Sequence, residues 1–269
     1  MSNPISKEDG TPEMCFKDKE IAERFVEVMS ELSILYMDDK RRFGMQLLAD
    51  IMRRMSNLGI ISVEDLYEHT VKAQRFYPEQ PLFYLFNGLA LIDMKRYEEA
   101  IKVLEKGRFM SADKKLTADF DTYIADVYHE LGNKEMMYKY YDRVLKNNPE
   151  NVYVLNNYAY FLSVDGARLE DALKMSAITI EKEPKNVTFL DTYAWVLYKL
   201  GRYKEAKKWM EKVFSYDKNA GGVNYEHYGD ILYKLGEKDK AVQNWKKAKK
   251  LGDASEFIEQ KIKDEKIYE

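Results

Sequence analysis

The stretch Leu190-Asp191-Thr192-Tyr193-Ala194-Trp195-Val196-Leu197-Tyr198-Lys199-Leu200-Gly201 decides the fold, because the chain uses it more than once. Thirty-five residues later the sequence reads Tyr225-Glu226-His227-Tyr228-Gly229-Asp230-Ile231-Leu232-Tyr233-Lys234-Leu235-Gly236. Thirty-five residues earlier it reads Leu155-Asn156-Asn157-Tyr158-Ala159-Tyr160-Phe161-Leu162. Self-similarity at such a period marks a chain of stacked supersecondary units, each too small to bury its own apolar face. Two more copies fit upstream, giving registers 81–114, 118–151, 152–186, 187–220 and 222–255. Each copy has 34 residues except 152–186, which carries one extra in its turn.

The shared positions have physical reasons. Counting each copy from its first residue, position 8 is Gly88, Ala125, Ala159, Ala194 and Gly229. Position 20 is Ala100, Met137, Ala172, Ala206 and Ala241. Small residues at both places let the two helices of a copy approach closely. Position 15 is Gly132, Gly166, Gly201 and Gly236 in four copies, where a first helix must end and glycine takes the left-handed conformation cheaply. Pro149 and Pro184 stand at position 32 of two copies, after the second helix. Position 11 is a large core residue: Leu91, Tyr128, Leu162, Leu197 and Leu232.

A 34-residue period with this spacing of small residues, glycine and proline resembles the tetratricopeptide repeat family over residues 81–255. The resemblance implies an all-α fold, a right-handed superhelix (α-solenoid) of antiparallel helix pairs with N- and C-terminal capping helices. A sixth, degenerate repeat is expected over about 45–80, with Leu48, Ile51, Met52 and Met55 on one face and Ser62 as an N-cap. Ile21, Phe25, Val26, Met29, Leu32 and Tyr36 follow a helical period, so a capping helix is expected over about 18–38 behind a flexible 1–17. Residues 254–269, with Phe257, Ile258 and Ile262, are expected to cap the other end. Within 152–269, the strings LNNYAYFLS, FLDTYAWVLYKLGRYKEAKKWMEKV and YEHYGDILYKLGEKDKAVQNWKKAK are similar to the C-terminal portion of tetratricopeptide lipoproteins of Gram-negative cell envelopes.

Composition narrows function by exclusion. In 269 residues, 43 Lys and Arg against 46 Asp and Glu leave a net charge of −3, without the basic excess of a nucleic-acid binder. No apolar run is long enough to span a bilayer, so no membrane insertion is expected. The first 14 residues lack the apolar core of a signal peptide. The expected location is the cytoplasm, or a periplasm-facing envelope if the chain is a trimmed form. The single cysteine, Cys15, permits no intrachain disulfide. His69, His129 and His227 lie too far apart for a metal motif, and no Gly-rich phosphate loop or nucleophile elbow occurs. No enzyme, cofactor or metal is expected. Gly221-Gly222 reads as a linker, and the lysine pairs at 207–208, 246–247 and 249–250 read as a solvated outer face.

The resemblance implies that first helices line a concave groove, with positions 2, 5, 6, 9, 12 and 13 facing it. Carried onto this sequence, the candidate partner-binding residues are Asp126, His129, Asn156, Asn157, Tyr160, Asp191, Trp195, Tyr198, Glu226, His227 and Asp230. They make a groove aromatic in the middle and acidic around it, and aromatic side chains of this kind are common interface anchors. The family's carboxylate clamp needs Lys and Asn at positions 5 and 9, and this chain lacks that set. The expected function is a non-catalytic module binding a partner protein or extended peptide, as adaptor or scaffold. The alternatives are an architectural subunit of an envelope complex and a helical accessory region of an enzyme on another chain.

Overall fold

A computed structural model of the chain describes residues 62–268, together with two short strands, β1 (Ile5–Ser6) and β2 (Pro12–Glu13), paired antiparallel. Cys15, the expected capping helix at 18–38 and the first half of the degenerate repeat lie outside the described residues. Twelve helices occur among the described residues, in two compact units, Met1–Arg143 and Val144–Glu269. The first unit holds α1 (Val63–Phe76), α2 (Pro81–Asp93), α3 (Tyr97–Met110) and α4 (Lys114–Glu130). The division falls within α5 (Lys134–Asn147). The second unit holds α6 (Val152–Val164), α7 (Leu169–Lys182), α8 (Val187–Lys199), α9 (Tyr203–Tyr216), α10 (Gly222–Lys234), α11 (Lys238–Leu251) and α12 (Ile258–Asp264).

Local chemistry sets the helix ends. Ser62 caps α1 through a reciprocal pair: its hydroxyl accepts from the Asp65 N–H at 3.0 Å, and the Asp65 carboxylate accepts from the Ser62 N–H at 3.1 Å. Asp113, Asn151 and Asn186 cap α4, α6 and α8 in the simpler way. At position 15 the chain turns with positive φ in every copy. Gly132, Gly166, Gly201 and Gly236 do so freely, while Lys95 holds the place at φ 57° in the first copy. A side chain there costs roughly 1–2 kcal/mol. The extra residue of the 152–186 copy is absorbed by Arg168, left-handed at φ 47°, whose guanidinium donates to Asp171 and to the Tyr158 hydroxyl.

Neighbouring helices pack in chain order within each unit. In the first, α1 packs on α2, α2 on α3 and α3 on α4, and α2 reaches α4. In the second, α6, α8 and α10 also meet one another in sequence, α6 against α8 and α8 against α10, so first helices form a continuous row. Burial follows the small-residue columns: Ala125, Ala159, Ala194, Ala100, Ala172, Ala206 and Ala241 are wholly buried. At position 7 of the last three copies stand tyrosines, of which Tyr158 is fully buried. Tyr193 and Tyr228 are half-buried, set edge-on against Trp209 and Phe214.

Two expectations need correction. Gly221-Gly222 is no linker. Gly222 opens α10, is buried, and its N–H donates to the Asp253 carboxylate, which lies where a side chain at either glycine would stand. The C-terminal cap is narrower than expected: α12 has 7 residues, Ile258 and the half-buried Ile262 pack on the Trp245 cluster, and Phe257 points away, 37% exposed.

Candidate partner-binding face

In two copies position 9 on the first helix is bonded by position 24 on the second, and the two residue types are matched. Where position 9 is Asp, position 24 is an aromatic donor. The Tyr141 hydroxyl donates to Asp126 at 2.6 Å, and the Trp245 indole N–H donates to Asp230 at 2.9 Å. Where position 9 is aromatic, as at Tyr160 and Trp195, position 24 carries no ring: it is Ser176, one residue on because of the inserted turn residue, and Met210. A Cβ on Gly229 would lie 2.5 Å from the Trp245 ring, so the last copy needs glycine where its neighbours carry alanine.

This pairing takes up one carboxylate oxygen of each expected acid, with Asp126 still half-exposed and Asp230 buried. A donor on the second helix of the copy reaches each. Asp126 and His129 belong to the first unit, where His129 is exposed. The other expected residues belong to the second.

In the last repeat the face is covered. The Lys261 ammonium of α12 lies 2.8 Å from Glu226 at position 5 and 2.7 Å from Asp230 at position 9, with all three side chains buried. The Ser255 backbone N–H donates to Glu226 at 2.7 Å, and its hydroxyl donates to the other carboxylate oxygen. Burial raises the Glu226 carboxyl, but Lys261 and Ser255 outweigh it and hold the group below its ordinary range. Burial opposes the charged Lys261, and Asp230 and Glu226 overcome it, so its pKa is raised. Glu226 and Asp230 are thus corrected from groove-lining to self-occupied. Lys261 escaped the sequence reading, although its place between Ile258 and Ile262 on one helical face marked it as turned inward.

The preceding repeat keeps the same face differently. Asp191 at position 5 bonds His227 through one oxygen at 3.0 Å. Burial disfavours the imidazolium, yet the Asp191 carboxylate beside it, helped by Asp230 and Glu226, raises the His227 pKa above the ordinary histidine value. Trp195 at position 9 lies between rings, stacked on His227 at 4.0 Å and on Tyr198 at 4.7 Å, with the Lys199 ammonium over its face at 5.0 Å. Trp195 and Tyr198 are therefore buried, while Tyr160 and Asn157 are half-buried. Burial raises the Tyr160 hydroxyl, and the charges of Asp191 and Glu226 add to it, which brings α6, α8 and α10 to one locus.

Three polar atoms at this locus are buried without a hydrogen-bond partner among the described residues: Asn156 Oδ1, Asp191 Oδ1 and Trp195 Nε1. An unmet buried donor or acceptor costs about 1–3 kcal/mol. Two acceptors and one donor therefore stand unused on one face. Among the described residues no group of three or more His, Cys, Asp or Glu is placed to hold a metal, and no helix is long and apolar enough to cross a membrane.

Comparison with known proteins bears on the fold. The tetratricopeptide repeat model matches residues 83–107, 124–151 and 188–219. No curated protein sequence matches. The structure is similar to that of a tetratricopeptide repeat protein from Parabacteroides merdae, at 16% identity and TM-score 0.62, covering 92% of this chain and 93% of that one. It is also similar to pilF of Pseudomonas aeruginosa, at 21% identity and TM-score 0.55, over 68% and 85% of the two chains. The yeast Tom70 structure matches at 17% identity and TM-score 0.58, over 93% of this chain and 54% of that one. The three matched repeat segments, the helix-pair packing and the row of first helices together make the fold an all-α solenoid of tetratricopeptide-like helix pairs.

Proposed function

We propose that this protein is a non-catalytic binding module, and that its second unit takes a segment of a partner protein against the face formed by α6, α8 and α10. The observation that carries the reading is the set of unmet buried atoms on Asn156, Asp191 and Trp195. Folding alone gains nothing from them, and each regains a hydrogen bond when a partner supplies the complement. Asn156 with Tyr160, and Asp191 with Trp195, are i,i+4 pairs, so each pair presents one side of its helix to the same ligand. Tyr160 and Asn157, half-exposed, form the rim.

A photoreactive phenylalanine analogue at position 160 tests this. Irradiated in cell extract, it should capture a discrete protein, while the same group at the exposed Lys208 should not. Capture from position 208 alone, or from both alike, would favour an architectural role through the outer surface.

A further inference from the structure

The last repeat shows what this face accepts. At its positions 5 and 9 the chain has inserted one of its own lysines: Lys261 is buried, 2.8 Å from Glu226 and 2.7 Å from Asp230. Lys261 arrives on a short amphipathic helix whose Ile258 and Ile262 cover the neighbouring apolar surface. The adjoining backbone also takes part, since the Ser255 N–H bonds Glu226. The repeat before it carries an acid at position 5 and a ring with a donor edge at position 9, and among the described residues Asp191 Oδ1, Asn156 Oδ1 and Trp195 Nε1 are buried without a hydrogen-bond partner.

We propose that Asp191, Asn156 and Trp195 form a receptor for a lysine side chain of a partner protein, and that Lys261 of α12 is the chain's own occupant of the equivalent place one repeat on. The inference rests on the reading that the second unit takes a partner segment, and names the chemistry of that segment. An ammonium has three N–H donors and no acceptor, so it serves Asp191 Oδ1 and Asn156 Oδ1 together. The carbonyl of the same segment accepts from Trp195 Nε1, the one donor of the set. A carboxylate ligand fits badly, since it would bring negative charge onto two acceptors beside Glu226 and Asp230. The basic groups already present are engaged elsewhere: Lys261 with its two carboxylates, His227 with Asp191 Oδ2, and Lys199 over the indole face. The three atoms are closed off from solvent, so a ligand enters by shifting the half-buried rim around Tyr160.

The probe is a peptide of residues 254–269 with blocked ends, added to the full-length protein and followed by calorimetry. It should bind. Replacing its Lys261 by norleucine should weaken binding about tenfold or more, while the same change at its exposed Lys263 should alter it less than about twofold, as burial of a charge-assisted contact predicts. Asp191→Asn in the protein should weaken the unaltered peptide to a similar degree, measured at a temperature where its melting curve shows the variant fully folded, since losing the partner of His227 lowers its stability. Equal binding by the Lys261→norleucine peptide would overturn the proposal. So would binding that survives Asp191→Asn and is lost in Glu226→Gln, which would seat the peptide in the place of α12. Capture from position 160 together with either of these results would leave the partner-binding role standing and remove only the lysine.

Discussion

The repeats at 187–220 and 222–255 carry the same scaffold with opposite bookkeeping at positions 5 and 9. In the last repeat Glu226 and Asp230 are saturated: Lys261, Ser255 and Trp245 supply donors to their oxygens. In its neighbour Asp191 has one oxygen paired and one bare, and the Trp195 indole nitrogen donates to nothing among the described residues. The difference teaches that α12 satisfies the polar groups of the last repeat, whereas the one before it keeps buried polar atoms unpaired on the same side. A solenoid end needs such a cap. An interior repeat with unmet atoms needs another reason, and a ligand provides one.

Removing what completes the last repeat should have the largest effect. Lys261→Met leaves two carboxylates buried without their cation and should cost about 3–5 kcal/mol in urea unfolding. Adding Glu226→Gln and Asp230→Asn should recover a large part of that loss. Trp245→Ala opens the core beside Gly229 and strips Asp230 of its indole donor, at roughly 3–5 kcal/mol. If Lys261→Met unfolds like the parent, the cap is ornamental and the comparison fails.

A middle-sized effect should come from packing common to both repeats. Ala194 is wholly buried between helices, so Ala194→Leu should cost roughly 1–3 kcal/mol by overpacking. A thermal melt unchanged by this substitution would refute the assignment of position 8.

The smallest effects should appear at the open face itself. His227 has a raised pKa in the folded chain, held up by Asp191 with Asp230 and Glu226 against the cost of burial. The protonated imidazole therefore contributes stability that is fully present below the ordinary histidine value, about 6.5, and is lost as pH rises through the higher folded value. Unfolding free energy measured upward from that pH should decline, and His227→Gln should remove that part of the slope. Asn156→Leu discards an unmet acceptor, so it should leave stability unchanged or raise it by up to about 1 kcal/mol, while weakening ligand binding. A clear loss of stability would show that Asn156 is already satisfied.

The architecture was legible because it rests on repetition: small residues at two positions and a glycine turn recur often enough to reveal the period. Tyr160 and Trp195 were also singled out from the sequence by their place on first helices. What escaped was which side chains are consumed internally. Asp230 and Asp191 look alike in sequence, and only the fold brings Lys261 back 31 residues to one of them and His227 back 36 residues to the other. The matching of Asp at position 9 with Tyr or Trp at position 24 was readable in principle, as a correlated pair in two copies. Gly221-Gly222 misled because its role depends on Asp253, a contact made across the following helix pair.

The three tryptophans, Trp195, Trp209 and Trp245, make the central claim directly measurable. Their indole N–H resonances can be followed by NMR while the 254–269 peptide is added. The Trp195 proton, unbonded at the start, should move downfield as it gains an acceptor, and the Trp245 proton, already held by Asp230, should stay in place. A titration in which Trp195 is unmoved, or in which Trp245 shifts as far as Trp195, would contradict the account of unmet atoms that await a ligand.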